Sequence, residues 1–135
     1  MASIAAIKDI GARAQQRLIS ADIKTCDVLL SSGATRKGRQ LIADTVGVSE
    51  KRVLEWVNRA DLMRIHGIST QYSDLLEAVG IDSLKKLRRS RSSRLHQEIV
   101  SANAARRKPL VGRLPNEKEV GHWVDQAKEI QFIVR

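Results

Sequence analysis

The sequence predicts an all-α protein built from two tandem copies of one helical unit. Three observations predict it. Apolar residues recur at helical spacing in segment after segment. The first half aligns with the second so that the only two tryptophans, Trp56 and Trp123, fall opposite one another. No run of alternating apolar and polar residues is long enough to argue for a sheet.

The register starts with "DIGARAQQRLISADIKT" set over "GISTQYSDLLEAVGIDS", an offset of 58 that takes Ile10 to Ile68. Leu18 then meets Leu76, Ala21 meets Val79, Ile23 meets Ile81 and Thr25 meets Ser83. It runs on through Leu29 and Leu87, Arg36 and Arg94, Leu41 and Ile99. After a break it resumes with "VLEWVNRADLM" over "VGHWVDQAKEI". The extra residues fall around "RRKPLVGRLP", which holds both prolines and reads as a loop.

Taken in order, the elements follow from their stripes. Leu18 and Ala21 mark the packing face of the first hairpin. Ser49 is a start signal for a helix carrying Val53, Trp56, Val57, Ala60 and Met63 on one face. Tyr72, Leu75, Leu76 and Val79 repeat that spacing, and Leu95, Ile99 and Ala102 give a shorter stripe. Asn116 with Glu119 makes a capping-box start for the last helix, with Val120, Trp123, Val124, Ala127 and Ile130 facing inward. Gly33, Gly47, Gly80 and Gly112 punctuate helix ends or turns. Eight to ten helices are expected. They form two repeats, 1–64 and 65–135, packed as one domain with pseudo-two-fold symmetry. Aromatic residues make up only 3% of the chain, so Leu, Ile, Val and Ala must supply the core.

Lys plus Arg number 24 against 15 acids, a net charge of +9, which points to an anionic partner. The excess is local. Between Asp82 and Asn116 lie Lys85, Lys86, Arg88, Arg89, Arg91, Arg94, Arg106, Arg107, Lys108 and Arg113, opposed only by Asp82 and Glu98. Ten minus two leaves +8 of the whole +9 in that tract. Arg36, Lys37 and Arg39 form a smaller cluster in the first copy. The aromatic residues Tyr72, Trp56, Trp123 and Phe132 are expected in the core rather than stacked on bases.

In "RIHGISTQYSDLLEAVGID" a glycine turn separates two helical segments. Glycine there permits positive φ, and the helix after the turn presents free N–H groups and a positive dipole end that suit a phosphate. An apolar residue, Gly-Ile-Gly, a helix, then Gly-Ile with Ser or Thr is the pattern of a helix-hairpin-helix. The sequence resembles that family over 7–30 and 65–88. The longer string "WVNRADLMRIHGISTQYSDLLEAVGID" also resembles the helix-hairpin-helix-like family known as domain of unknown function 4332. That resemblance implies a fold and carries no assigned activity. Each copy departs from the phosphate-binding pattern once. Asp9 replaces the first glycine of copy one, where its negative charge impairs phosphate binding and it reads as a cap for its own helix; Ser69 replaces the second glycine of copy two, which keeps that turn an anion site.

Catalysis needs a convergent set of groups. His66, His96 and His122 show no ligand spacing, Asp61 and Asp74 lack a carboxylate partner, and no nucleotide-hydrolysing phosphate loop occurs. Cys26 reads as a small core residue. No enzyme, cofactor or metal is expected. The start "MASIAAIKDIGARAQQ" shows no secretory leader, and no apolar run reaches the ~20 residues of a membrane span. The expectation is a cytoplasmic protein that makes no use of a membrane.

The functional expectation is sequence-independent binding of DNA. The second hairpin, turning at Gly67, would offer main-chain N–H groups from Ile68, Ser69 and Thr70, with His66 in reach of a phosphate and Arg64 as a supporting cation. The tract Lys85, Lys86, Arg88, Arg89, Arg91 and Arg94 would hold neighbouring phosphates, with Arg13 as a supporting cation. The alternative is an interaction module or scaffold, alone or self-assembled, whose basic loop 105–113 docks on an acidic protein.

Overall fold

A computed structural model describes residues 2–135. Among them are one short 3-10 helix, Ile4–Ala6, and eight α-helices. The helices are α1 (Ala12–Ser20), α2 (Cys26–Ser32), α3 (Arg36–Val46), α4 (Glu50–Leu62), α5 (Thr70–Ala78), α6 (Leu84–Arg89), α7 (Ser92–Ala105) and α8 (Glu117–Glu129). The fold is all-helical; a lone antiparallel bridge between Ser3 and Thr25 is the nearest approach to a strand among the described residues. The chain divides into two compact units, one running to Asp61 and including Gln131–Arg135, the other spanning Leu62–Ile130.

In the first unit, hydroxyl caps start three helices. Thr25 Oγ1 accepts from Val28 N at 3.2 Å, Thr35 Oγ1 from Gly38 N at 3.1 Å and Ser49 Oγ from Arg52 N at 3.2 Å. Ile4, Ile7, Leu18, Leu29, Val53, Trp56 and Val57 are buried to about their last atom. Gly33 closes α2 where a Cβ would stand 2.5 Å from Val57 Cγ2, so only hydrogen fits. Gly47 ends α3 in the left-handed region at φ 83°.

Arg39 corrects an expectation. The sequence groups it in a basic cluster with Arg36 and Lys37, yet it is only 4% exposed. Its Nε donates to Glu50 Oε1 at 2.8 Å, Nη1 to the Gly33 and Ala34 carbonyls at 2.9 and 3.1 Å, and Nη2 to the Arg135 carbonyl at 2.7 Å. The planar guanidinium thus ties the start of α3, the start of α4 and the last residues of the unit together. Two further expectations fail. Ala21 is exposed, because α1 has already ended at Ser20. Phe132 is 40% exposed, because it follows the end of α8 and has no helical stripe to join.

The second unit is built around α8, against which both α6 and α7 pack, while α5 packs on α7. Leu62, Ile65, Leu75, Leu76, Leu84, Leu87, Leu95, Ile99, Val120 and Trp123 share one core. Tyr72 leans on Trp123 with ring centroids 5.4 Å apart. The expected capping box is present: Asn116 Oδ1 accepts from Glu119 N at 2.8 Å, and Glu119 Oε1 accepts from Asn116 N at 3.3 Å. The proline-bearing loop is held by buried Asn103, whose Oδ1 accepts from Leu110 N and Val111 N.

Candidate functional site

The backbone around each hairpin makes the same short bonds. In the first unit Ile10 N donates to Ile7 O at 3.1 Å, and Ile23 N to Leu18 O at 2.9 Å. In the second, Ile68 N donates to Ile65 O at 3.1 Å, and Ile81 N to Leu76 O at 2.8 Å. Gly80, at φ 87°, takes the left-handed turn between α5 and α6; between α1 and α2 that turn falls to Asp22, at φ 63°. A non-glycine residue is tolerated there because a short acidic side chain is among the few that visit this region. Sequence alignment already sets Asp22 opposite Gly80, and this was the signal for it.

The second hairpin is seated on α8. Gly67 adopts φ 99°, and a Cβ on it would stand 3.0 Å from Trp123 Nε1. Positive φ and the close indole together require glycine. His66 is exposed, and its main chain is clamped from both sides by Gln126, Nε2 to the His66 carbonyl at 3.1 Å and the His66 N–H to Oε1 at 2.9 Å. Arg64 is half-buried and already engaged. Of the expected amide donors, Ile68 is committed to Ile65 O, and its side chain is buried. The offer of three free amides therefore shrinks to Ser69 and Thr70, which remain without main-chain acceptors among the described residues. Ser69 is the N-cap of α5, but its hydroxyl makes no capping bond.

The basic tract lies on α6 and the start of α7. Lys85, Lys86, Arg88, Arg89, Arg91 and Arg94 are all exposed. Arg89, Arg91 and Arg94 line one cleft of about 330 Å³ with Ile81, Leu95 and Glu98. Local acids hold two of the cations loosely: Lys86 Nζ lies 2.9 Å from Asp82, and Arg94 Nε lies 3.2 Å from Glu98. Both are exposed pairs one helical turn apart, easily exchanged for another anion. Arg88 also has a partner.

Farther along, Arg113 is occupied by Glu119 at 2.7 Å and by the Tyr72 hydroxyl at 3.0 Å. Bonding to Arg113, with the Asn116 N–H, holds the Glu119 carboxyl below its ordinary range, and Glu119 and Tyr72 raise Arg113 in turn. Arg106, Arg107 and Lys108 are exposed on the loop.

The first hairpin is arranged differently. Asp9 does not cap its helix: the N-cap of α1 is Gly11, with no side-chain capping bond. The Asp9 carboxylate instead lies 3.5 Å from buried Arg59, and its carbonyl accepts from Arg52 Nη2 at 3.3 Å. Exposed Arg13 follows Gly11 in the first turn. Asp9, Gly11, Arg13 and Arg52 border a cavity of about 550 Å³, walled also by Arg17, Gly47 and Trp56. Nothing in the sequence sets this cavity apart.

Cys26 is buried, with Sγ 3.5 Å from the Ser3 carbonyl, and burial raises its thiol above the usual value, as does neighbouring Asp27. Among the described residues, no group of three or more His, Cys, Asp or Glu is placed to hold a metal ion. Among the described residues, no helix is long and apolar enough to cross a membrane.

No curated protein and no solved structure matches the chain. A family model, described as Domain of unknown function (DUF4332), matches residues 8–130. The match covers nearly all of the first hairpin, the second hairpin, the basic tract and the whole of α8, so the chain belongs to the DUF4332 family.

Proposed function

We propose that this protein binds nucleic acid, DNA in the first place, through backbone phosphates and without reading sequence. The two hairpin units act as tandem helix-hairpin-helix repeats. The observation that supports this reading is the exposed set Lys85, Lys86, Arg88, Arg89, Arg91 and Arg94 on two successive short-spaced helices. Both helices pack on α8, the same helix whose Trp123 and Gln126 seat the second hairpin. Phosphates need cations and N–H donors and carry no sequence information. The tract supplies the cations; Ser69 and Thr70 supply two main-chain donors at the start of α5. The reading assigns no catalytic step, cofactor or metal, and its setting is the cytoplasm.

The test is anisotropy of a labelled random-sequence duplex, wild type beside Lys85→Ala/Lys86→Ala/Arg88→Ala/Arg89→Ala. Tight binding at low salt that the variant loses supports the reading. No binding by wild type at low salt overturns it. The exposed loop cations Arg106, Arg107 and Lys108 favour a second reading, an adaptor that docks on an acidic protein or assembles copies of itself. A concentration-independent monomer by light scattering that captures no acidic partner would remove it.

A further inference from the structure

In the second unit, the cleft bounded by the α5–α6 turn, the end of α6 and the first turns of α7 holds more than phosphates require. Its cations are Arg89, Arg91 and Arg94, and among the described residues no ion pair engages Arg89 or Arg91. Backbone phosphates need only such cations and N–H donors. Two further features of the same wall serve no phosphate. One is apolar: Ile81, only partly covered by the core, lines the cleft with Leu95 behind it. The other is a carboxylate, Glu98, set among the guanidinium groups with Arg94 Nε at 3.2 Å and its side chain 44% exposed. On a surface that met phosphates alone, an exposed carboxylate would only weaken binding, since like charges repel.

The α5–α6 turn leaves room for a ligand. Gly80 takes φ 87°, and a Cβ built on it meets nothing within 4 Å. Val79, on the other side of this glycine from Ile81, borders a second cleft of about 460 Å³ that shares Arg94 and Glu98 with the first. At about 330 and 460 Å³, both clefts fall in the ~300–1,000 Å³ range of small-ligand sites. They meet at the Arg94–Glu98 pair, which is exposed and readily exchanges partners.

On the basis of nucleic-acid binding by the basic tract, we infer that the first cleft takes one unpaired base, so that the protein favours duplexes interrupted by an unpaired nucleotide. An unpaired base offers an apolar face and a polar edge, and within an intact duplex both are occupied by stacking and pairing. Ile81, backed by Leu95, would meet the face, together with the plane of a guanidinium group, on which bases stack. Glu98 would accept from the edge, while Arg89 and Arg91 would hold the flanking phosphates. A carboxylate accepts from the exocyclic amine of cytosine but is repelled by the carbonyl oxygens of thymine. Unpaired cytosine is therefore preferred to unpaired thymine.

The test is anisotropy with three labelled duplexes of one sequence: fully paired, with an added unpaired cytosine, and with an added unpaired thymine. Wild type should bind the cytosine-bearing duplex about fivefold more tightly than the paired one, with the thymine-bearing duplex weaker than the cytosine-bearing one. Glu98→Ala, at an exposed position, should make the two interrupted duplexes equal. Its affinity for the paired duplex should hold or rise, because a negative charge has left the cationic wall. Ile81→Ser should weaken both interrupted duplexes and leave the paired one unchanged. Equal affinity of wild type for all three duplexes overturns the inference and leaves phosphate binding standing. So does a gain that is the same for cytosine and thymine, which reflects only the easier bending of an interrupted duplex. A Glu98→Ala protein that keeps the cytosine preference overturns it as well. No affinity for any of the three at low salt removes the nucleic-acid reading along with it.

Discussion

The first hairpin and the second make matching backbone hydrogen bonds at Ile10, Ile23, Ile68 and Ile81, but their turns differ in chemistry. In the second, glycine occupies the positive-φ positions: Gly67 lies against the Trp123 indole and Gly80 makes the later turn. In the first, Asp9 stands at the equivalent of Gly67 and pairs with Arg59, and Asp22 bears the left-handed turn. Each unit also fastens its irregular segments in its own way. A buried cation, Arg39, gathers three carbonyls and Glu50 in the first; a neutral amide, Asn103, holds the proline loop in the second. Side chains at the turns are therefore free to vary as long as the backbone bonds and the tryptophan behind them are kept. The variation leaves the first unit with an open cavity and the second with a closed seat.

The largest effect should come from breaking the two fasteners. Arg39→Ala leaves a half-buried carboxylate and the Gly33 and Arg135 carbonyls without their donor, so a loss of about 3 kcal/mol is expected by chemical denaturation. Asn103→Ala should lose about 2 kcal/mol, as two loop N–H groups forfeit a buried acceptor. Equal losses would mean that the charge of Arg39 adds nothing. Next come the first turns. Gly67→Ala meets both positive φ and Trp123 Nε1, and should cost about 2 kcal/mol or more. Gly11→Ala, at φ −67° with open space around it, should cost about 0.5 kcal/mol. A comparable penalty at both sites would remove the distinction between seat and cavity.

Smaller effects sharpen the later turns. Gly80→Ala should destabilise by about 1 kcal/mol, whereas Asp22→Gly should be neutral or stabilise by about 0.5 kcal/mol, since it relieves a left-handed non-glycine residue. Thermal midpoints moving in the same direction would contradict the assigned roles. The smallest effect concerns pH. The Glu119 carboxyl is held below its ordinary value, so the stability it adds is present above the unfolded-state pKa. That stability fades as pH falls through the lowered folded value. A carboxyl chemical-shift titration of Glu119 should show a midpoint below that of a free glutamate, and Arg113→Ala should return it to the ordinary range.

Much of this architecture was legible in the residues themselves. The stripes through Trp56 and Trp123 announced α4 and α8, because burial on one face at intervals of three and four survives any tertiary context. The Asn116–Glu119 box was equally plain, because the whole motif is local in sequence. What stayed hidden depends on distant partners. Arg39 read as one of a basic cluster, and its burial was hidden because a charged helix residue is buried only when something far away needs its donors, here the Arg135 carbonyl. Asp9 looked like a cap; its actual partner, Arg59, arrives from the opposite end of the unit. The Ile68 amide looked available until the Ile65 carbonyl claimed it. The exposed tract was visible from charge alone, whereas the cavity at Trp56 was not, since its walls come from residues far apart in sequence.

The proposal of backbone binding is tested most directly by the salt dependence of duplex affinity. If the six exposed cations from Lys85 to Arg94 each neutralise a phosphate, log K against log salt should fall with a slope of about −5. The Lys85→Ala/Lys86→Ala/Arg88→Ala/Arg89→Ala protein, with two of the six left, should give about −2. Equal slopes for the two proteins would place the binding charges elsewhere, and no measurable affinity for wild type at low salt would contradict nucleic-acid binding outright.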